Sequence, residues 1–328
     1  MFIDPQNSNQ KISLKVLAEQ VLKLSDFFID HPQDQTPWSE NYCKQAYRYY
    51  YLPLNYLRVD HVITRGLEVD FFKNIETTID WGAGPGTASF ALAKNLQINM
   101  QLKNQYLIEK STAAIKDFQD LHTQLKNPQI TSELNLKKIN SDAKKTLLVF
   151  SYSLTEMDSM PDGWNQFEAL MILEPATKQD GRKLLELRKK LIADGYTIWA
   201  PCIHQTDCPL LEKSNSDWCH DRVHVKAPAW FLQLEQNLPF KNKTITTSYL
   251  LARKEKPNYD FKNKIRLTGD SLDEKGKTRQ LACRGPEREF LTWMHKDIKP
   301  QTLPRGDLIT LPSEVENKSN EIRLKKPV

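Results

Sequence analysis

TTIDWGAGPGTASFALAK, residues 77–94, decides the fold. An apolar strand carries Asp80 near its end, Gly82, Gly84 and Gly86 follow, and a helix of small residues begins. Glycine at a strand-to-helix turn permits positive φ and lets a ligand approach the backbone, while the helix N-terminus offers free N–H groups. In α/β proteins such a turn lies at the carboxyl edge of the sheet, where ligands bind. Short apolar runs continue the pattern: QYLIEK, TLLVFSYS, ALMILEP, YTIWAPC and TSYLLAR, with helical stretches expected at 87–96, 111–125 and 181–194. Strands alternating with helices predict an α/β fold with a doubly wound, mostly parallel sheet.

Outward from that core, residues 12–30 place apolar side chains at helical spacing. A second helical stretch covers about 39–51, and Pro53 is expected to break it. The tyrosine row YRYYY, beside Arg48 and Arg58, reads as packing against the main domain. After Lys256 the runs KNKIRLTGD, TRQLACRG and REFLTWMHK read as two to four strands around the turn LDEKGK. The expected division is an N-terminal helical segment (1–70), an α/β domain (71–255) with a cysteine-rich insertion at 200–226, a small β extension (256–311) and a polar tail (312–328).

Composition bounds the class. At 39% hydrophobic and 27% charged residues, the 328-residue chain reads as a soluble globular protein. No stretch approaches the eighteen or so apolar residues of a membrane span. MFIDPQNSNQKISL lacks the basic start and apolar core of a secretory signal, so the expected location is cytoplasmic, or the inner side of an organelle. The net charge of +5 is uneven, because 251–328 hold eighteen Lys and Arg against twelve Asp and Glu, an excess of +6. That excess suits a nucleic-acid or ribosomal partner, and it equally suits a solvated lysine-rich face.

The glycine spacing is not the dinucleotide fingerprint, whose third glycine would stand where Thr87 does. With Asp80 ahead of it, the G-x-G-x-G loop resembles motif I of class I S-adenosylmethionine-dependent methyltransferases. The resemblance implies a Rossmann-like fold in which Gly82, Gly84 and Gly86 curl under the methionine part of the cofactor. It implies further that Asp80 positions the cofactor's amino group, that Glu109 pairs with the ribose hydroxyls and that Asp142 lies beside the adenine. One carboxylate accepting two bonds suits two vicinal hydroxyls. Asp142 reads equally as a helix cap. Amino-methylating members often carry an Asn/Asp-Pro-Pro-aromatic stretch after the fourth strand, where this chain has SYSLTEM at 151–157. Glu156 and Glu174 are the carboxylates available to face a substrate, and the catalytic residues stay unassigned.

APCIHQTDCPLLEKSNSDWCHDR, residues 200–222, holds Cys202, Cys208 and Cys219, three of the chain's five cysteines. Cys283 follows in a strand-like run, and Cys43 reads as a buried thiol in a helix. Four thiolates meet the needs of a structural Zn²⁺ or of a 4Fe–4S cluster, and His204, His220 and His224 compete as ligands. C-x5-C spacing argues against a radical S-adenosylmethionine enzyme.

The stretch LMILEPATKQDGRKLLELRKKLIADGYTIWAPCIHQTDCPL, with DWCH beyond it, resembles the methyltransferase-like small-ribosomal-subunit family: mitochondrial small-subunit assembly proteins and their bacterial relatives. The likeness runs from about Tyr47 to Cys283. Ala176, Ile203 and Asp221 stand where the family carries glycine, proline and an aromatic. The resemblance implies that Cys202, Cys208, Cys219 and Cys283 bind a 4Fe–4S cluster. It implies an iron–sulfur protein that binds S-adenosylmethionine and acts on or binds the small ribosomal subunit or its rRNA in assembly or translation. The alternative it leaves is a catalytically inactive assembly factor that keeps the fold.

Overall fold

Every residue of TTIDW is buried in the computed structural model, which describes residues 2–7, 11–31, 34–96, 102–121, 129–131, 136, 139–157 and 159–328. The chain divides into two units. One comprises Met1–Thr64, Phe72–Leu173 and Val223–Ile245, the other Arg65–Phe71, Glu174–Arg222 and Thr246–Val328.

In the first unit, β1 (Thr77–Trp81), β2 (Asn104–Ile108), β3 (Gln129–Thr131), β4 (Thr146–Ser151) and β5 (Ala169–Glu174) pair in parallel in the order β3-β2-β1-β4-β5. That is the Rossmann-like doubly wound order, which reverses between β1 and β4. β1 and β5 are buried throughout, because a parallel strand is covered on both faces.

Among the described residues, three α-helices precede the sheet: α1 (Leu14–Asp30), α2 (Asn41–Ala46) and α3 (Leu52–Leu67). Ser13 caps α1 by accepting the Val16 N–H, and Leu17, Ala18, Val21 and Leu24 form its buried stripe. The stripe packs with Cys43, Tyr50 and Leu54 and with Phe231 and Leu234 of α8 (Ala229–Gln236). Tyr50 lies flat on Phe231, with centroids 5.3 Å apart. Pro53 does not break the second helix as expected. A π-helical turn at Tyr47–Tyr51 joins α2 to α3, and the Leu52 N–H donates five residues back to Tyr47. The ladder has therefore already shifted where proline lacks its donor. After β1 comes α4 (Thr87–Leu96) and after β2 comes α5 (Thr112–Leu121); the expected continuation of α5 over 122–125 lies outside the described residues.

The second unit contains α6 (Lys178–Ala193), β6 (Thr197–Ala200), α7 (Pro209–Glu212) and, from Thr246 on, β8 (Thr244–Arg253), with β6 antiparallel to β8. β7 (Asp221–His224) spans the division at Arg222. A separate sheet is built from β9 (Lys264–Glu274), β10 (Lys277–Cys283), β11 (Glu289–Met294), β12 (Leu308–Thr310), β13 (Val315–Lys318) and β14 (Glu321–Leu324), in the order β12-β9-β10-β11-β14-β13. The extension 256–311 holds four strands, within the expected two to four, but one expectation is corrected: 312–328 is no polar tail, because β13 and β14 complete the sheet. β14 hides in composition: Ile322 and Leu324 are fully buried, while the alternate Glu321 takes up Lys277 and Arg323. Among the described residues, no helix is long and apolar enough to cross a membrane.

Candidate cofactor loop and four-cysteine pocket

The loop after β1 is fixed from both sides. Gly82 and Ala83 donate their N–H groups to the Ile108 carbonyl at 2.9 and 3.1 Å. Gly82, Gly84 and Gly86 have φ of +68°, +52° and +75°, the left-handed region that side chains avoid. A Cβ on Gly86 would stand 2.3 Å from the Phe118 ring, and one on Gly82 2.8 Å from Ser153 Cβ. Loop and neighbours therefore pack at glycine distance.

Two carboxylates complete it. Asp80 accepts the N–H and the hydroxyl of Ser89 on one oxygen, at 3.1 and 2.7 Å. Its other oxygen, Oδ1, is buried with no partner among the described residues. Burial, with Glu109 adding, pushes the Asp80 carboxyl up to about 6. Glu109 accepts the Gly84 N–H at 2.8 Å on one oxygen and the Ser111 N–H at 2.7 Å on the other. Each oxygen keeps a further lone pair for a ligand. Asp142 is not brought to this group by any bond; it is exposed and caps a short turn by accepting the Lys144 N–H at 3.0 Å.

Two neighbours of the loop, Trp38 and Tyr47, were not legible in the sequence as parts of the site. Trp38 lies over Gly84, where a Cβ would come within 3.2 Å of its ring. Tyr47 meets Trp38 edge-on and shares a hydrogen bond with Thr87, the first residue of α4. Glu156, offered by SYSLTEM, accepts the Thr36 hydroxyl at 2.9 Å, and burial raises its pKa. Tyr152, at the end of β4, holds φ +61°, uncommon for a residue with a side chain. Glu174 is buried at the end of β5.

In the second unit Cys202, Cys208, Cys219 and Cys283 line one pocket. Cys202 follows β6, Cys208 is the N-cap of α7, Cys219 precedes β7 and Cys283 ends β10. α6 holds the insertion: Arg182 donates to the carbonyls of Leu210, Leu211, Ser214 and Asp217, and Trp218 sits against Gly181. Arg188 donates to Cys202 Sγ at 3.1 Å, and His204 Nε2 lies 3.2 Å from Cys283 Sγ. Burial first, then the neighbouring thiols, raises Cys208 to about 12 and Cys219 and Cys283 upward as well. Of the three competing histidines only His204 lines the pocket; burial lowers it to about 4 and keeps it neutral. Cys43 lies in the core of the first unit. Among the described residues, no group of three or more His, Cys, Asp or Glu side chains is arranged to hold a metal ion.

Asp221, at the position the resemblance gives to an aromatic, is fully buried, pairs with Arg266 and accepts the Tyr249 hydroxyl at 3.2 Å. Part of the positive excess of the C-terminal segment is therefore taken up within the fold. Arg266 is internal, and Lys277, Arg279, Arg284, Arg323, Lys325 and Lys326 are all in ion pairs.

Residues 42–284 match the family model described as mitochondrial small ribosomal subunit Rsm22. The chain belongs to the Rsm22 family. A mitochondrial family does not establish the cytoplasmic location expected from the sequence. No curated protein matches the chain. Solved structures similar to this Rsm22-family chain include PH1948 from Pyrococcus horikoshii, provisionally named an RNA methyltransferase: 14% identity, 73% of this chain, 98% of that one, TM-score 0.37. An rRNA methylase from Streptococcus thermophilus shares 13% identity over 58% of this chain and 95% of its own, with TM-score 0.34. The plantazolicin methyltransferase BpumL, solved with a monoazolic desmethylPZN analog and SAH, shares 15% identity over 74% of this chain and 98% of its own, also with TM-score 0.34.

The loop geometry makes a controlled prediction. Gly86 and Gly195 both have positive φ, but a Cβ on Gly195 meets nothing within 4 Å. Gly195→Ala is expected to cost only the backbone strain, about 1–2 kcal/mol. Gly86→Ala adds about 1–3 kcal/mol of overpacking against Phe118. Urea titrations of both variants check the difference, and equal losses would mean that Phe118 yields freely.

Proposed function

We propose that the chain binds S-adenosylmethionine at the loop after β1 and acts on, or assembles with, the RNA of the small ribosomal subunit. Asp80 carries the reading. A buried carboxylate oxygen without a partner, beside three left-handed glycines and the N-terminus of α4, is a place for a ligand's ammonium group. The residues present fit the cofactor: Asp80 for the amino group, the glycine loop for close approach and Glu109 for the ribose. The bound cofactor would supply an electrophilic methyl group; the chain's part is to hold and orient it. Membership in a small-ribosomal-subunit family supports the RNA partner. The inactive assembly factor remains the second reading, favoured by SYSLTEM in place of the amino-methylation stretch.

For the second unit we propose that Cys202, Cys208, Cys219 and Cys283 take a 4Fe–4S cluster, with zinc as the alternative. Four sulfurs lining one pocket, two of them beside side-chain nitrogen donors, support this reading.

Calorimetry tests the cofactor site. Wild type should bind S-adenosylmethionine, Gly84→Val should not, and Glu109→Ala should lose about 1.5–3 kcal/mol. Asp80 must be ionised to hold an ammonium group. Its pKa is raised from 3.8 to about 6, so affinity should climb as pH rises through about 6 and then level off. In the free protein the same shift has the opposite sense: the cost of the buried carboxylate begins above its ordinary value and is complete above about 6. Asp80→Asn should flatten the affinity profile, and a climb that persists in this variant would place the titrating group elsewhere.

The RNA reading now rests on exposed lysines such as Lys256, Lys262, Lys296 and Lys299. Replacing each by Gln should reduce the slope of log K against log salt for small-subunit RNA by about 0.7 per lost phosphate contact. Transfer of labelled methyl groups to small subunits separates the enzyme from the assembly factor.

Anaerobic analysis should find about four irons and four sulfides per chain, unchanged in Cys43→Ser and lost in Cys283→Ser. One zinc without sulfide would sink the cluster.

A further inference from the structure

Arg188 lies on α6 with 2% of its surface exposed, among the largest fully buried side chains described. A guanidinium stays protonated in proteins, and a buried charge is costly unless an opposite charge meets it. Arg266, which is also buried and lines the same pocket, has an opposite charge in Asp221. Arg188 donates Nε to Cys202 Sγ at 3.1 Å and its terminal nitrogen to the carbonyls of His204 and Thr206 at 2.8 and 3.0 Å. Among the described residues, no carboxylate forms an ion pair with it.

A neutral thiol cannot balance that charge. Four metal-bound thiolates can, because they leave the site net negative around zinc or around an oxidised four-iron core. His204 reinforces the direction. Its Nδ1 lies 2.8 Å from the Thr206 hydroxyl, and with Nδ1 as acceptor the ring presents Nε2–H to Cys283 Sγ.

We propose that Arg188 is the built-in counter-charge of the four-cysteine site, a positioning residue whose buried positive charge favours the metal-loaded pocket over the empty one. The inference rests on reading that pocket as a metal–thiolate centre. It differs from a purely structural role in one respect. An arginine that only braces the carbonyls of 204 and 206 would stabilise loaded and empty protein alike. A counter-charge stabilises the loaded form and burdens the empty one.

The test uses the full-length wild type, Arg188→Met and Arg188→Lys, purified without oxygen. Three readouts are compared: metal and sulfide content, metal loss to a chelator, and thermal unfolding of loaded and metal-stripped protein. Arg188→Met should lose metal about tenfold faster or more, the effect usual for a group supporting metal ligands. Stripped of metal, it should unfold no earlier than stripped wild type. Arg188→Lys, keeping charge without the planar fork, should fall between the two and guards against a Met variant that fails to fold. If the site holds an iron–sulfur cluster, losing the N–H to sulfur should also move its midpoint potential negative. Equal destabilisation of loaded and stripped Arg188→Met would overturn the proposal in favour of bracing, and so would wild-type metal retention. A wild type that carries no metal after reconstitution would sink the metal reading itself, and this inference with it.

Discussion

One carboxylate, Glu109, fastens the site of the first unit. By accepting from Gly84 on one side and Ser111 on the other, it ties the turn after β1 to the segment after β2. Glycines lose more conformational freedom on folding than other residues, and three in left-handed φ form a loop with little stiffness of its own. Charge-assisted bonds to the backbone supply the stiffness, each stronger than a neutral bond. Asp80 does the same one strand away by holding the first turn of α4 through Ser89. The loop is thus shaped before any ligand arrives, and both carboxylates keep acceptor capacity directed at it.

What the sequence made legible follows from how each feature buries itself. β1, β4 and β5 are covered on both faces, so their apolar runs stand out, and the glycines and Asp80 sit where a strand-to-helix turn needs them. β14 was hidden because alternate positions carry charges that pair with one another. Pro53 misled because local rules stop a helix at proline, while a π-helical turn upstream had already rearranged the ladder. Trp38 carries no signal at all: its place over Gly84 depends on tertiary packing far along the chain. Asp142 matched a motif position and serves a local cap, the purpose aspartate most often serves ahead of a helical turn.

The second unit was harder to read because its charges are internal. KQDGRKLLELRKK looks like a solvated helix face, yet Gly181, Leu184, Leu185, Arg188 and Leu191 are buried. Arg188 and Leu191 differ by three residues and share a face, so an arginine stands where helical spacing alone would place another leucine. Likewise Asp221 and Arg266 pair across the unit, a partnership no spacing predicts. Net charge counted from sequence treats all such residues as surface. Here part of the C-terminal excess is consumed inside the fold.

The two sites therefore solve the cost of buried polarity in opposite ways. In the first unit Asp80 and Glu109 meet backbone or hydroxyl donors, and of their four oxygens Asp80 Oδ1 has no partner among the described residues. In the four-cysteine pocket the imbalance is a whole cation, set among thiols whose pKa values burial has raised. A leftover lone pair costs about 1–3 kcal/mol and is easily tolerated until a ligand comes. A buried cation without an anion costs several times more. The glycine loop is completed by hydrogen bonds of the first unit itself, whereas the four-cysteine pocket keeps a guanidinium whose described partners are one sulfur and two carbonyls.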